Sequence, residues 1–159
     1  MKRQTHGQSI VELALILPFL ILFTVGTMEL GYYVYTYSEL ENVTRRASEW
    51  AAKTPPLDPA KPNDPADQCI VLIKEYALEG AFLSDLTPAN ITFSYPGAQL
   101  REVGTGQVQV RVQYNGQWLT PIGNRFFGNQ LKFNFFSRRT ITSTKAPPGR
   151  NPDCSKSIP

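Results

Sequence analysis

Residues 7–28 read GQSIVELALILPFLILFTVGTM, and Glu29 follows. From Ile10 to Met28 almost every residue is apolar, and Glu12 is the only charge. Run as a helix at about 1.5 Å per residue, that stretch reaches roughly 28 Å, the thickness of a bilayer's hydrocarbon core. Pro18 and Gly26 fall inside it, and both are tolerated in a spanning helix where neighbouring groups satisfy the freed backbone.

Lys2 and Arg3 precede the apolar run. The bias of positive charge toward the inner side then predicts a cytoplasmic N-terminus, with everything beyond about Glu29 outside. Three readings fit such a segment. A cleaved secretory signal also has a basic start, but this run is long, contains Glu12 and ends in Thr24-Val25-Gly26, a poor cleavage site. A plain uncleaved anchor is the second. The third turns on Gly7, Gln8 and Glu12.

A carboxylate inside a spanning segment costs about 2.5–3.5 kcal/mol at mid-membrane and less near the interface, so Glu12 needs a partner. A cut after Gly7 would give Gln8 a new α-amino group, roughly 6 Å along a helix from Glu12. Ammonium and carboxylate at that depth could neutralise each other between adjacent subunits and favour axial stacking of helices.

The strings GQSIVELALILPFL, MELGYYVY and LENVTRRASEWAA together resemble the TadE-like family of the tight-adherence (Flp) pilus machinery. The later VQVRVQYNGQWLTPIG is more loosely similar to the C-terminal part of that family. The resemblance implies a type IV pilin-like α+β fold and a pseudopilin processed by prepilin peptidase between Gly7 and Gln8. It further implies assembly through Glu12 with other pseudopilins and pilins on an inner-membrane pilus platform. Leu13 and the length of the chain fit a minor pseudopilin better than a major pilin. A permanently anchored, uncleaved envelope protein is the alternative.

Beyond the apolar run, Leu30, Tyr33, Tyr37, Leu40, Val43, Ala47 and Trp50 recur at spacings of three and four, which predicts that the helix continues with this stripe packed. Glu39, Glu41, Arg45 and Glu49 mark the wet side, with Glu41 and Arg45 an i,i+4 pair. Glu29 is expected at the membrane interface, exposed to headgroups and water beside Tyr32, Tyr33, Tyr35 and Tyr37. A helix over 8–53 would be roughly 69 Å long. Residues 1–7 form the expected leader, and 54–67 a Pro-rich loop that reverses the chain.

Asp67 predicts an N-cap for a helix with Cys69, Ile70, Ile73, Tyr76 and Ala77 inward and Gly80 at its end. Strands are predicted over 91–95, over 107–114 where Val108, Val110, Val112 and Tyr114 share one face, and over 131–141. Asn115-Gly116 reads as a turn, and 121–128 as a short excursion carrying Phe126 and Phe127. The expected fold is a long N-terminal helix packed on a small antiparallel sheet, with the outside domain over 68–145. Residues 146–159 form an extended tail. Its Cys154 could bond Cys69, pair between molecules or remain a thiol; the intramolecular bond is the expectation, since an outside location permits oxidation.

Catalysis has little to stand on. The chain has one His, His6, and two Cys, so no His-based triad and no metal site are expected. No cofactor motif is present; Gly104-Thr-Gly106 reads as a turn rather than a phosphate cradle. Of 16 Lys and Arg, Lys2 and Arg3 lie in the first seven residues, leaving 14 against 13 acidic residues and no basic face for nucleic acid. Arg138-Arg139 reads as a charged strand edge, and Asp64 and Asp67 as solvated. Two sequons, at Asn42 and Asn90, matter only in a eukaryotic secretory setting.

Overall fold

The computed structural model describes residues 6–54, 60–83, 85–96 and 104–142, with side chains from residue 8. Helix α1 (His6–Lys53) runs 48 residues, about 72 Å, through Pro18. It is followed by α2 (Gln68–Leu78), a 3-10 turn (Pro88–Asn90), β1 (Ile91–Ser94), β2 (Gln107–Gly116), α3 (Pro121–Phe127) and β3 (Leu131–Thr140). The three strands form one antiparallel sheet in the order β1-β2-β3, with Ile91 opposite Val112 and Phe93 opposite Val110. The fold is the expected α+β arrangement of a long helix and a small sheet. Residues 55–59, the tail over 146–159 and with it Cys154 lie outside the described residues.

Two compact units divide the chain. One joins the chain up to Tyr35 with Gln117–Leu131, and the other joins Thr36–Gly116 with Lys132 onward.

The second unit holds the core. Leu40, Val43, Ala47, Ala51 and Ala52 of α1 meet Ile70, Ile73 and Ala77 of α2, and the inner face of the sheet adds Ile91, Phe93, Val108, Val110, Val112 and Tyr114. Strict alternation makes this possible, because period-2 side chains all reach one face of β2. Each buried Val, Leu, Ile or Phe contributes about 1.5–3 kcal/mol. Asp67 caps α2 by accepting the Cys69 N–H at 2.9 Å; it is buried, not solvated. Asn63 accepts the Phe93 N–H and donates to the Phe93 carbonyl, both at 2.8 Å, so a side-chain amide occupies the outer edge of β1.

Four expectations about this region are corrected. The predicted stripe of α1 holds at Leu40, Val43 and Ala47, which are buried, and at Trp50, which packs on the core, but Leu30 is 64% exposed and Tyr33 and Tyr37 are exposed, while Thr36, Thr44 and Ser48 are buried as well. Thr44 and Ser48 can turn inward because they are satisfied locally, Thr44 Oγ1 on the Leu40 carbonyl at 2.7 Å and Ser48 Oγ on the Arg45 carbonyl at 2.8 Å. Tyr37 still lays its ring edge-on to Phe135, with centroids 4.9 Å apart. Arg45 pairs with Glu49 at 3.4 Å rather than with Glu41. Arg139 is no bare edge charge: it reaches Glu49 at 3.0 Å and the Ser48 hydroxyl at 3.1 Å, which offers a stronger field to Glu49 than a lone i,i+4 partner.

The fourth correction concerns Asn115-Gly116. Both residues end β2 instead of turning, and Gly116 lacks the positive φ that such a hairpin turn needs. A Cβ at Gly116 would run into the Tyr114 ring, so glycine is required there for space. Gly104, with φ +90°, does make the expected turn.

Candidate functional site

Two places in the first unit carry chemistry. The nearer to the start is the pilin-type entrance. The Gly7–Gln8 peptide falls in the first turn of α1, where the leading N–H groups have no intrahelical acceptors. Glu12 is exposed, and the Gln8 side-chain amide donates to its Oε1 at 3.2 Å, one turn back. The structure thus gives Glu12 a partner within its own chain, from the side chain of Gln8 rather than its α-nitrogen.

From Gln8 on, α1 is long and apolar enough to cross a membrane, and its most apolar window is wholly unburied by the rest of the chain. Ile10, Phe19 and Phe23 are 67–76% exposed, and Met28 is exposed as well. The few polar groups inside the run turn back onto their own helix. Thr24 and Thr27 donate to the Leu20 and Phe23 carbonyls, each at 2.8 Å, as an apolar medium demands.

The second place is Glu29, and here the expectation is overturned. Glu29 is not an exposed interfacial carboxylate; it is 3% exposed. It accepts the Leu119 N–H at 3.2 Å, the Thr120 N–H at 2.7 Å and the Thr120 hydroxyl. Thr120 is also the N-cap of α3, its oxygen accepting the Gly123 N–H at 3.2 Å. Hydroxyl, carboxylate and cap therefore form one relay. Burying a carboxylate costs several kcal/mol unless its lone pairs are satisfied, and these three donors satisfy them. Gly123 is the other half of the fit. A Cβ there would stand 2.5 Å from Glu29 Oε1 and 2.9 Å from the Trp118 Cβ.

Around this lock lies an apolar groove of about 370 Å³, lined by Leu22, Val25, Gly26, Glu29, Ile122, Gly123, Phe126 and Phe127. Trp118 packs on Phe127 with ring centroids 4.9 Å apart. Sequence reasoning noticed Phe126 and Phe127 but not the groove, and nothing local to Glu29 signals a partner 91 positions away. No cluster of three or more His, Cys, Asp or Glu able to hold a metal occurs among the described residues. Cys69 is buried on the inner face of α2.

Residues 7–49 match the family model described as TadE-like protein. The matched stretch begins at Gly7 and takes in Gln8, Glu12 and Glu29; the looser likeness over 106–142 lies outside it. No curated protein and no solved structure matches the chain.

Proposed function

We propose that this chain is a pseudopilin-like, single-pass membrane protein acting in Tad/Flp-type pilus assembly or its associated secretion. The TadE-like match points to that machinery in general, and the family is not one of enzymes. The supporting observation is the register of the match. It opens on Gly7 at the first turn of a long helix whose apolar run, Ile10–Met28, carries one carboxylate, the exposed Glu12.

In this reading α1 crosses the cytoplasmic membrane with Lys2 and Arg3 inside and the sheet outside. Prepilin peptidase cuts between Gly7 and Gln8. The freed amine and Glu12 then pair between neighbouring subunits, drawing the helix from lipid into a helical bundle of pilins and pseudopilins on the inner-membrane platform. The mechanism is transfer of one helix between two apolar surroundings, without turnover of a substrate.

The test is the intact mass of the mature protein made with and without a co-expressed prepilin peptidase. A chain beginning at Gln8 only when the peptidase is present supports the reading. Retention of the residues through Gly7 beside an active peptidase overturns it. That outcome favours the second reading, a permanent uncleaved anchor, which the Gln8–Glu12 hydrogen bond also supports because it satisfies the carboxylate without a neighbour. Only the first form would enter sheared pilus fractions.

A further inference from the structure

We infer that α3 is a membrane-embedded element: it lies in the outer leaflet beside α1, and lipid acyl chains fill the groove between them. The inference rests on α1 spanning a bilayer, and it adds a second segment of the same unit to the lipid-facing surface.

Depth carries the argument. Leu22, Val25 and Gly26 line the groove together with Ile122, Phe126 and Phe127. Leu22 precedes Glu29 by seven residues and Val25 by four, so these walls lie about 5–10 Å further into the apolar run than the carboxylate. A span covering Ile10–Met28 thus places the groove within hydrocarbon. α3 cannot reach that level and remain in water.

Its surface suits that position. Phe126 is 71% exposed, Phe127 64% and Ile122 39%, an unusual apolar display for a seven-residue helix facing water, and Leu119 just before its cap is 52% exposed. The display is continuous with α1, whose flanking residues are equally bare. Across residues 117–131 the only charge is Arg125, which is exposed and long enough to extend toward lipid phosphates. With no acidic residue in the stretch, nothing opposes an anionic headgroup layer. The Glu29 lock follows from the same placement, because a carboxylate at the rim of the hydrocarbon is tolerable when backbone and hydroxyl donors enclose it. The outer leaflet is therefore the occupant, in preference to a second protein helix.

The test is site-specific photo-crosslinking of the full chain in vesicles of phosphatidylethanolamine and phosphatidylglycerol. A photoreactive phenylalanine analogue is placed singly at Phe126, at Leu20 of α1 and at Phe82, which is 83% exposed in the other unit. The expected result is lipid adducts at 126 in yield similar to position 20 and at least about ten-fold above position 82. Adducts at 20 but only protein–protein products, or none, at 126 overturn the placement of α3 and leave the span standing. Equal lipid yields at 126 and 82 overturn it as well. Absence of lipid adducts at position 20 overturns the span itself, and this inference with it.

Discussion

The Glu29 carboxylate accepts the Thr120 N–H at 2.7 Å, and on its other side Gly123 approaches so closely that a single added methyl group would stand 2.5 Å from Oε1. Glu29 sits where the apolar run of α1 ends, and Thr120 opens the short helix that follows β2. Each is satisfied by the other, so neither the carboxylate nor the cap is stable in its place alone.

Glu29→Ala is expected to leave the Leu119 and Thr120 N–H groups without their acceptor, at about 1–3 kcal/mol per buried group. The effect should be local. Hydrogen exchange of residues 117–124 should accelerate by about one to two orders of magnitude, with α2 and β1 little changed. Glu29→Gln should lie between, since its amide keeps one acceptor but turns a donor toward donors. Unchanged exchange in Glu29→Ala would remove the lock.

Gly123→Ala is expected to cost about 1–3 kcal/mol by overpacking, because its Cβ must displace the Glu29 carboxylate or the Trp118 side chain at its Cβ. In a Glu29→Ala background most of that cost should disappear. Local opening measured by hydrogen exchange across the four-member cycle should give a coupling above about 0.5 kcal/mol; additive effects would place the two residues in separate networks.

Glu12→Ala should insert into membranes as well as the parent or better, since an exposed carboxylate is removed from an apolar helix. Pilus formation should nevertheless fall. Normal pili from that variant, counted after shearing, would exclude Glu12 from assembly.

Lys74 is held below its usual pKa of 10.5 by burial, with the Phe93 ring 5.7 Å away offsetting part of the cost. The sign follows from which state binds protons more weakly. Below the folded pKa the lysine is charged in both states, and the folded state bears the desolvation in full. As pH rises from the lowered value through 10.5, that burden fades. Lys74→Met should therefore stabilise the second unit at pH 7 by a few tenths of a kcal/mol, and the gain should shrink toward pH 10.5. Paired denaturation curves of the two proteins at each pH isolate the contribution of this residue.

Cys69, buried on α2, is proposed to bond Cys154. Closing a loop of about 85 residues would stabilise the fold by roughly 4–5 kcal/mol in the chain-entropy view. Peptide maps of protein isolated from the envelope, reduced and non-reduced, should differ by one linked pair. Two free thiols would end that proposal.

Much of this was legible from the chain because it is local. The Ile10–Met28 run announces the helix by composition, Asp67 announces α2 by its capping chemistry, and Val108 to Tyr114 announce β2 by period. What escaped is carried by distant partners. Glu29 reads as an interfacial carboxylate until Thr120 is brought to it. Arg45 pairs with Glu49, which Arg139 of β3 also reaches, and that second partner lies 90 positions away in the chain. The inward turn of Thr36, Thr44 and Ser48 was hidden by reading hydroxyls as wet, although Thr44 satisfies itself on a helix carbonyl and Ser48 on its own helix and on Ser137 of β3. Asn115-Gly116 carries a strong turn signature, yet the excursion through Pro121 leaves no partner strand close enough to use it.

The division of the chain has a practical outcome for anyone handling the sheet apart from the membrane. The backbone passes from one unit to the other near residues 35, 116 and 131, so the helix-borne unit is sewn in by three passages rather than hung on one. Trimming the gene to begin at Thr36 removes the apolar run but keeps 117–131, now with Thr120 deprived of its carboxylate and Phe126 and Phe127 deprived of their neighbours. Such a fragment would be sticky for a reason that its missing anchor does not suggest. A soluble version has to replace that internal segment with a short polar loop as well.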